Sequence, residues 1–355
     1  MERKGLMEKL NNGEKIVVAE GYIFQFERRC YLKAGPFVPV VVLERPDLVK
    51  QLHHEFVRAG SDVVQAFTYY SHREKMKLIN REGDLEKMNR MALKIAREVA
   101  DETGTLMAGD ICSTNLYDPK DPKKNEAVKQ CFVEQVQWAV EEGADFIVAE
   151  TLSCLGEALI ALEVIKEYGN GVPAVITLVV HDREHDEGNA YTLDDVEITE
   201  AMKRLEAAGA DVVGLNCARG PETIIPLMEK IKKSGVKVPL AALPVMYRTT
   251  KAEPTFMRLT DPRTGKKLFP TDLDCAMSSR SDIFEFGRRC DEIGIPYLGL
   301  CCGNSPHYTR ALCESIGRRP PASKYSPDMS LHCIFGTDDK LNTFLTKNAV
   351  DRIVS

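Results

Sequence analysis

Four stretches of this chain repeat one pattern: apolar positions at helical spacing, a glycine, and then a short, nearly continuous apolar run. Gly60-Ser-Asp-Val-Val-Gln-Ala-Phe-Thr68 resembles Gly143-Ala-Asp-Phe-Ile-Val-Ala-Glu-Thr151, and both resemble Gly209-Ala-Asp-Val-Val-Gly-Leu-Asn-Cys217. Gly294-Ile-Pro-Tyr-Leu-Gly-Leu-Cys-Cys302 is a looser fourth copy. Residues ahead of the glycines, such as Glu200-Ala-Met-Lys-Arg-Leu-Glu-Ala-Ala208, are spaced as an amphipathic helix. Glycine ends such a helix because it enters the left-handed region at little steric cost. The apolar run that follows reads as a strand buried on both faces.

The intervals from Gly60 to Gly143, Gly209 and Gly294 are each too long for one strand–helix unit and suit two. The intervening strands are Ile16-Val-Val-Ala19, Leu106-Met-Ala-Gly-Asp110, Ala174-Val-Ile-Thr-Leu-Val-Val180 and Val238-Pro-Leu-Ala-Ala-Leu243. Eight strands alternating with helices predict an α/β fold, the (β/α)8 TIM barrel, because consecutive parallel strands need helical crossovers. A doubly wound open sheet is the alternative, but no Gly-x-Gly-x-x-Gly follows the first strand. The barrel is placed at 1–318. From Arg319-Pro-Pro-Ala-Ser-Lys onward, 319–355 is too short for a domain and is expected to form an arm against a subunit partner in a homo-oligomer. The polar stretch Arg248–Ser281 reads as a long loop over the active face, or as partly disordered.

Composition narrows the function. The chain has 355 residues, 44% hydrophobic and 28% charged, which suits a soluble protein with a large core. A net charge of −6 and the lack of a dense basic stripe argue against nucleic acid. No apolar run approaches the ~18 residues of a membrane span. The charged N-terminus lacks an export core. Eleven cysteines without such a signal imply reduced thiols and a cytoplasmic location rather than a disulfide framework.

In a parallel barrel the chemistry sits at the C-terminal strand ends. Cys217 closes one apolar run, and Cys301 with Cys302 closes another two strands on. Three thiolates there could hold Zn²⁺ tetrahedrally with one position open. Three packed thiols, or a structural Cys₄ site completed by Cys112 or Cys154, remain alternatives. Glu20, followed by Gly21, and Glu150 also end strands; each reads either as a salt-bridge partner or as a receptor for a substrate ammonium. Tyr69, Tyr70 and Phe37 read as loop anchors or as a ring cluster for a quaternary ammonium or sulfonium group. His181 and His185 lie in a charged segment that reads as a solvated loop rather than a metal pair.

Gly214-Leu-Asn-Cys217 followed by Cys301-Cys-Gly303 resembles the homocysteine S-methyltransferases, zinc-dependent barrels that methylate a thiol. Glu27-Arg-Arg-Cys-Tyr-Leu-Lys-Ala-Gly-Pro36, Gln51-Leu-His-His-Glu-Phe56, Ala59–Tyr70 and Pro320-Pro-Ala-Ser323 extend the resemblance, which looks closest to the betaine–homocysteine branch. The resemblance implies that Cys217, Cys301 and Cys302 hold zinc. It implies that Tyr70 lies by the metal's open position, that Glu150 binds homocysteine's amino group, and that Phe37 lines the donor pocket. Three departures stand out. Ala19-Glu20-Gly21 replaces the family's Asp-Gly-Gly, Leu300 precedes the cysteine pair where the family has Gly, and Thr151 replaces a Tyr that helps hold betaine's carboxylate. Leu300 is expected to crowd the metal mouth. The implied reaction is methyl transfer from an onium donor, glycine betaine first, to a small-molecule thiol, homocysteine, giving methionine and dimethylglycine. A sulfonium donor (dimethylsulfoniopropionate or S-methylmethionine), a different thiol, and a non-catalytic zinc-binding barrel are the competing readings.

Overall fold

A computed structural model describes residues 4–183, 188–341, 348–349 and 352–353. Eight parallel strands close a barrel in sequence order: β1 Ile16–Ala19, β2 Val63–Gln65, β3 Leu106–Cys112, β4 Phe146–Leu152, β5 Ala174–Leu178, β6 Val212–Asn216, β7 Leu240–Leu243 and β8 Tyr297–Leu300. The last strand pairs with the first, Ile16 opposite Tyr297 and Ala19 opposite Leu300. Closure removes every sheet edge. All four repeat glycines take the expected left-handed conformation, with φ of 115° at Gly60, 81° at Gly143, 94° at Gly209 and 78° at Gly294.

Side chains alternate between the barrel interior and the helix layer. The inner apolar set includes Val18, Val63, Leu106, Phe146, Val148, Val175, Val212, Leu243 and Tyr297. Phe146 and Tyr297 meet edge to face across the barrel with ring centroids 6.5 Å apart. Removing a buried ring of this kind costs about 3–5 kcal/mol. Close strand contact needs small residues here: a Cβ at Gly214 would lie 1.9 Å from the Ala241 carbonyl oxygen, and one at Gly299 2.4 Å from Leu243. Above the apolar set, toward the strands' C-terminal ends, the buried inward positions turn polar: Glu20, Gln65, Asp110, Glu150, Thr177 and Asn216. That change of chemistry marks where the packed floor ends and the site begins.

The alternation decides two departures of the sequence. Leu300 is fully buried in the outer shell between barrel and helices, so it does not crowd the mouth as expected; Cys301 is the residue that turns inward. Ala19 likewise faces the shell, and Glu20 carries the acid into the barrel. The segment 248–281 covers the active face: Phe256 donates its N–H to the Ala218 carbonyl (2.8 Å), and Thr260 bridges Lys267. It ends slightly earlier than expected, because Ser279 and Asp282 form a capping box that starts the next helix at Arg280. Beyond the helix Pro306–Ser315, Arg318 pairs with Asp62 (2.7 Å to Oδ1) and donates to the Gly60 carbonyl (3.2 Å). The later chain forms short turns at Pro321–Tyr325 and Met329–Leu331. No helix among the described residues is long and apolar enough to cross a membrane.

Candidate active site

Register brings the cysteines together. Cys217 follows β6 and Cys301-Cys302 follow β8, with β7 between them. Cys217 Sγ lies 3.6 Å from Cys302 Sγ, and Cys301 Sγ lies 3.9 Å from Cys302 Sγ. All three ligand atoms fall within 4.8 Å of one another. Tetrahedral zinc–thiolate bonds of about 2.3 Å place sulfurs about 3.8 Å apart, so the set already has the spacing one ion requires. The Cys301 and Cys302 thiols hydrogen-bond to Cys217, which lowers its pKa well below the usual thiol value and raises theirs well above it. Cys112 and Cys154 lie outside the cluster, and the Cys112 sulfur instead accepts the Tyr70 N–H (3.2 Å). The Cys₄ alternative therefore lacks its fourth thiol among the described residues.

Two carboxylates sit beside the thiols. Glu20, Glu150 and Cys301 have ligand atoms within 4.8 Å of one another. Glu150 Oε1 accepts from Gln65 Nε2 (2.8 Å), and Oε2 accepts from Asn216 Nδ2 (2.8 Å) and the Thr151 hydroxyl (3.0 Å). Burial raises its pKa to about 7; the Thr151 bond opposes that rise and the nearby Cys217 adds to it. Glu20 is 1% exposed, and among the described residues neither of its oxygens has a hydrogen-bond partner. Burial, then Glu150, Asp110 and Cys217, push its pKa well up. Asp110, on β3, is also buried with one oxygen unpartnered, and burial followed by Glu150 raises it too. No Lys, Arg or His among the described residues forms a salt bridge with any of the three. The reading of Glu20 and Glu150 as salt-bridge partners finds no partner among the described residues, and burying three carboxyl groups without a cation is costly.

Outside the thiols lies a cavity of about 240 Å³. One side is aromatic: Phe24, Phe37, Tyr69, Tyr70, Phe256 and Phe269 line it. Phe24 packs on Phe37 (ring centroids 6.0 Å) and Phe256 (6.4 Å), and Tyr69 lies 4.4 Å from Tyr70. The other side carries Ser113, Asn115, Thr151, Ser153 and His181, and Cys217 and Cys302 reach the wall. Glu20 and Glu150 do not line this cavity; they lie on the inner side of the thiols. Gly21 (φ 84°) passes so close that a Cβ would sit 2.3 Å from the Cys301 carbonyl oxygen, so it shapes the backbone around the cluster.

Phe37, Tyr70, Thr151 and Cys217 all hold left-handed backbone, with φ of 53°, 61°, 57° and 59°. Side-chain-bearing residues rarely adopt it, and such strain concentrates where a fold must aim a side chain. Sequence reading missed Gln65, although a polar residue at an inward position of an apolar strand is a readable signal. It also missed Phe24, in the short helix Tyr22–Arg28, and Phe256 and Phe269, whose loop positions carry no periodicity. His185 lies outside the described residues.

The profile of the homocysteine S-methyltransferase family matches residues 21–316. A betaine–homocysteine S-methyltransferase 1 from Bos taurus is 34% identical over 88% of this chain and 75% of its own length. An S-methylmethionine–homocysteine S-methyltransferase from Pongo abelii is 34% identical over 91% of this chain and 85% of its own. Among solved structures, the metallated form of the homocysteine methyltransferase MmuM from Escherichia coli superposes with a TM-score of 0.66 at 17% identity, covering 85% of this chain and 96% of that one.

Proposed function

The chain belongs to the homocysteine S-methyltransferase family, and from that premise we propose that it moves a methyl group from an onium donor to the thiol of homocysteine at zinc held by Cys217, Cys301 and Cys302. The observation that carries this reading is the spacing of the three thiols at the junction of an acidic chamber and an aromatic-walled cavity. Zinc there supplies a lowered pKa for the acceptor thiol, so that the nucleophilic thiolate is present at neutral pH.

The chain's own residues do the rest. Glu20 and Glu150 receive the acceptor's ammonium, which fixes its sulfur at the cysteine cluster. Gln65 and Asn216 hold the Glu150 carboxylate in place, leaving it no freedom to swing. Phe37, Tyr69 and Tyr70 present ring faces to the donor's positive centre. The loop carrying Phe256 and Phe269 excludes water. The donor methyl then faces the sulfur in line, and most of the rate gain is positioning. The donor loses its positive charge as the methyl leaves, so the ring wall must hold the cation without overstabilising it.

Glycine betaine is our first donor, with dimethylsulfoniopropionate or S-methylmethionine as the second reading. The second is left open by the equal identity to relatives named for betaine and for S-methylmethionine, and is permitted by Phe37 and Thr151 where the family has Trp and Tyr. We also propose that 319–355 is an arm used between subunits. The test is methionine formation from homocysteine with each donor in turn, by zinc-loaded protein. Methionine from betaine is expected; methionine from a sulfonium donor alone would overturn the betaine assignment, and none from any donor would favour a non-catalytic barrel.

A further inference from the structure

The acids beneath the thiols have an electrostatic opposite on the far wall of the outer cavity. His181 lines that wall, and its Nε2 is buried without a partner. Arg219 is 5% exposed, and its Nε is likewise buried without a partner. The Arg219 guanidinium pairs elsewhere with Asp182, which Arg258 also approaches (3.8 Å). Asp182 is thus shared between two guanidinium groups. Burial, and then the Arg219 charge, lower the His181 pKa, so the ring is neutral near pH 7. A neutral imidazole with its proton on Nε2 offers one N–H to the cavity. Each buried donor left unmatched is costly, and a ligand that accepts from it recovers that cost.

Thr151 cannot serve this purpose. Its hydroxyl donates to Glu150 (3.0 Å) and receives Asn216 Nδ2 (2.8 Å), so it is committed to the acceptor side. An unmatched His181 nitrogen on the cavity that the rings also line, with the buried Arg219 guanidinium behind it, points to a ligand with an anionic end and an onium end.

We propose that His181, backed by Arg219, anchors the carboxylate of the methyl donor and makes the chain selective for zwitterionic donors. The inference rests on the methyl-transfer reading and adds a specificity residue to it. The donor's onium end faces the rings and thiols, and its carboxylate points outward to the imidazole N–H.

The test uses two matched pairs that differ by the carboxylate: glycine betaine with tetramethylammonium, and dimethylsulfoniopropionate with ethyldimethylsulfonium. Zinc-loaded wild type should show at least about tenfold higher kcat/KM for the carboxylate member of whichever pair it uses. His181→Ala should lose roughly 10- to 100-fold on that member, leave its carboxylate-free partner unchanged and keep its zinc. His181→Gln, which retains an N–H donor, should recover a large part. Wild type with no carboxylate preference overturns the anchor, as does a His181→Ala variant that loses both members of a pair equally. If wild type transfers methyl from none of the four and from S-methylmethionine neither, the methyl-transfer reading has failed. Calorimetric titration of the same compounds into zinc-loaded protein then judges the anchor separately. A carboxylate preference abolished by His181→Ala upholds it, and equal binding of both members overturns it.

Discussion

The inner and outer halves of the site are built from different parts of the barrel. Cys217, Cys301, Glu20 and Glu150 sit on strands or within one residue of a strand end, and Gln65 and Asn216 brace Glu150 from β2 and β6. Their positions follow from register, where a slip of one residue would turn an inward group into the helix layer. The outer half comes from the connections after the strands: Phe24 on the short helix Tyr22–Arg28 and Phe37 in the loop beyond it after β1, and loop residues Tyr69 and Tyr70 after β2, His181 after β5, and Phe256 and Phe269 after β7. Loops accept substitution and length change that strands do not. The thiol-activating chemistry is thus tied to the fold, while donor choice can drift on the same barrel. Relatives named for two different donors match this chain equally well, as such a division predicts.

The largest expected effect breaks the inner half outright. Cys217→Ala and Cys302→Ala should each lose bound zinc and abolish methyl transfer, while Cys112→Ala and Cys154→Ala, outside the cluster, keep both. Metal analysis by mass spectrometry reads the first outcome and a methionine assay the second. Full zinc content in either cluster variant would undo the ligand assignment. Chelation should also lower the melting temperature, because the ion joins the ends of β6 and β8.

A second test asks what the inner half costs when empty. Glu150 has its pKa raised to about 7 from an ordinary value of 4.5, so between those values the folded state binds the proton more tightly than the unfolded chain. Stability contributed by that bound proton is present at the acid side and lost as pH rises through about 7. Protein free of metal and substrate should lose up to roughly 3 kcal/mol of unfolding free energy across this window. Glu150→Gln should make the profile shallower, with Glu20 and Asp110, whose pKa values are also raised by burial, carrying the remainder. Urea titrations at pH 5 and pH 7.5 measure both, and a stability that rises with pH in the wild type would contradict the burial argument. The rings of the outer half carry no such titration.

With substrate present, the same carboxylates should give and not take. Glu150→Gln and Glu20→Gln should each raise KM for homocysteine roughly 30- to 150-fold, the loss of a partly desolvated carboxylate–ammonium contact. Zinc content and donor KM should stay near wild type. An effect confined to Glu20 would mean that the first strand alone binds the amino group.

The same division explains how much the sequence disclosed. The glycine-led repeat, Gly-x-Asp in three copies and Gly-Ile-Pro in the fourth, marked four strands, and the length of the intervals pointed to the other four, because buried parallel strands leave apolar runs. Cys217 and Cys301-Cys302 were visible as strand ends two strands apart. Glu20 was harder: the match to Asp-Gly-Gly sets Ala19 in the acid's place, so the contact had either moved to Glu20 or been lost, and only the in-out alternation set by pairing with β8 turns Glu20 inward. Leu300 misled for the same reason, since its neighbour faces inward and it does not. Phe256 and Phe269 were illegible because segment 248–281 has no period, and its path over the mouth is decided by tertiary contacts such as Phe256 N–H to Ala218 O.

The smallest expected effect belongs to the rings. Ring faces hold an onium group by electrostatic attraction worth about 0.5–2 kcal/mol, so losing one ring costs roughly 3- to 30-fold in donor kcat/KM. Phe37 has strained backbone (φ 53°) and packs on Phe24, so Phe37→Leu, which keeps bulk without a ring face, separates cation binding from packing. It should weaken donor use within that range, leave homocysteine KM unchanged, and affect betaine and sulfonium donors alike, since both present a methylated cation. Phe37→Trp, with a stronger ring face, should bind the donor more tightly but gain little in kcat, because a charge that disappears in the transition state is not helped by a firmer grip on it. Initial rates over a matrix of donor and thiol concentrations resolve the two KM values. Should Phe37→Leu move the homocysteine KM as far as the donor KM, the two halves are not independent, and the loops would share in holding the acceptor.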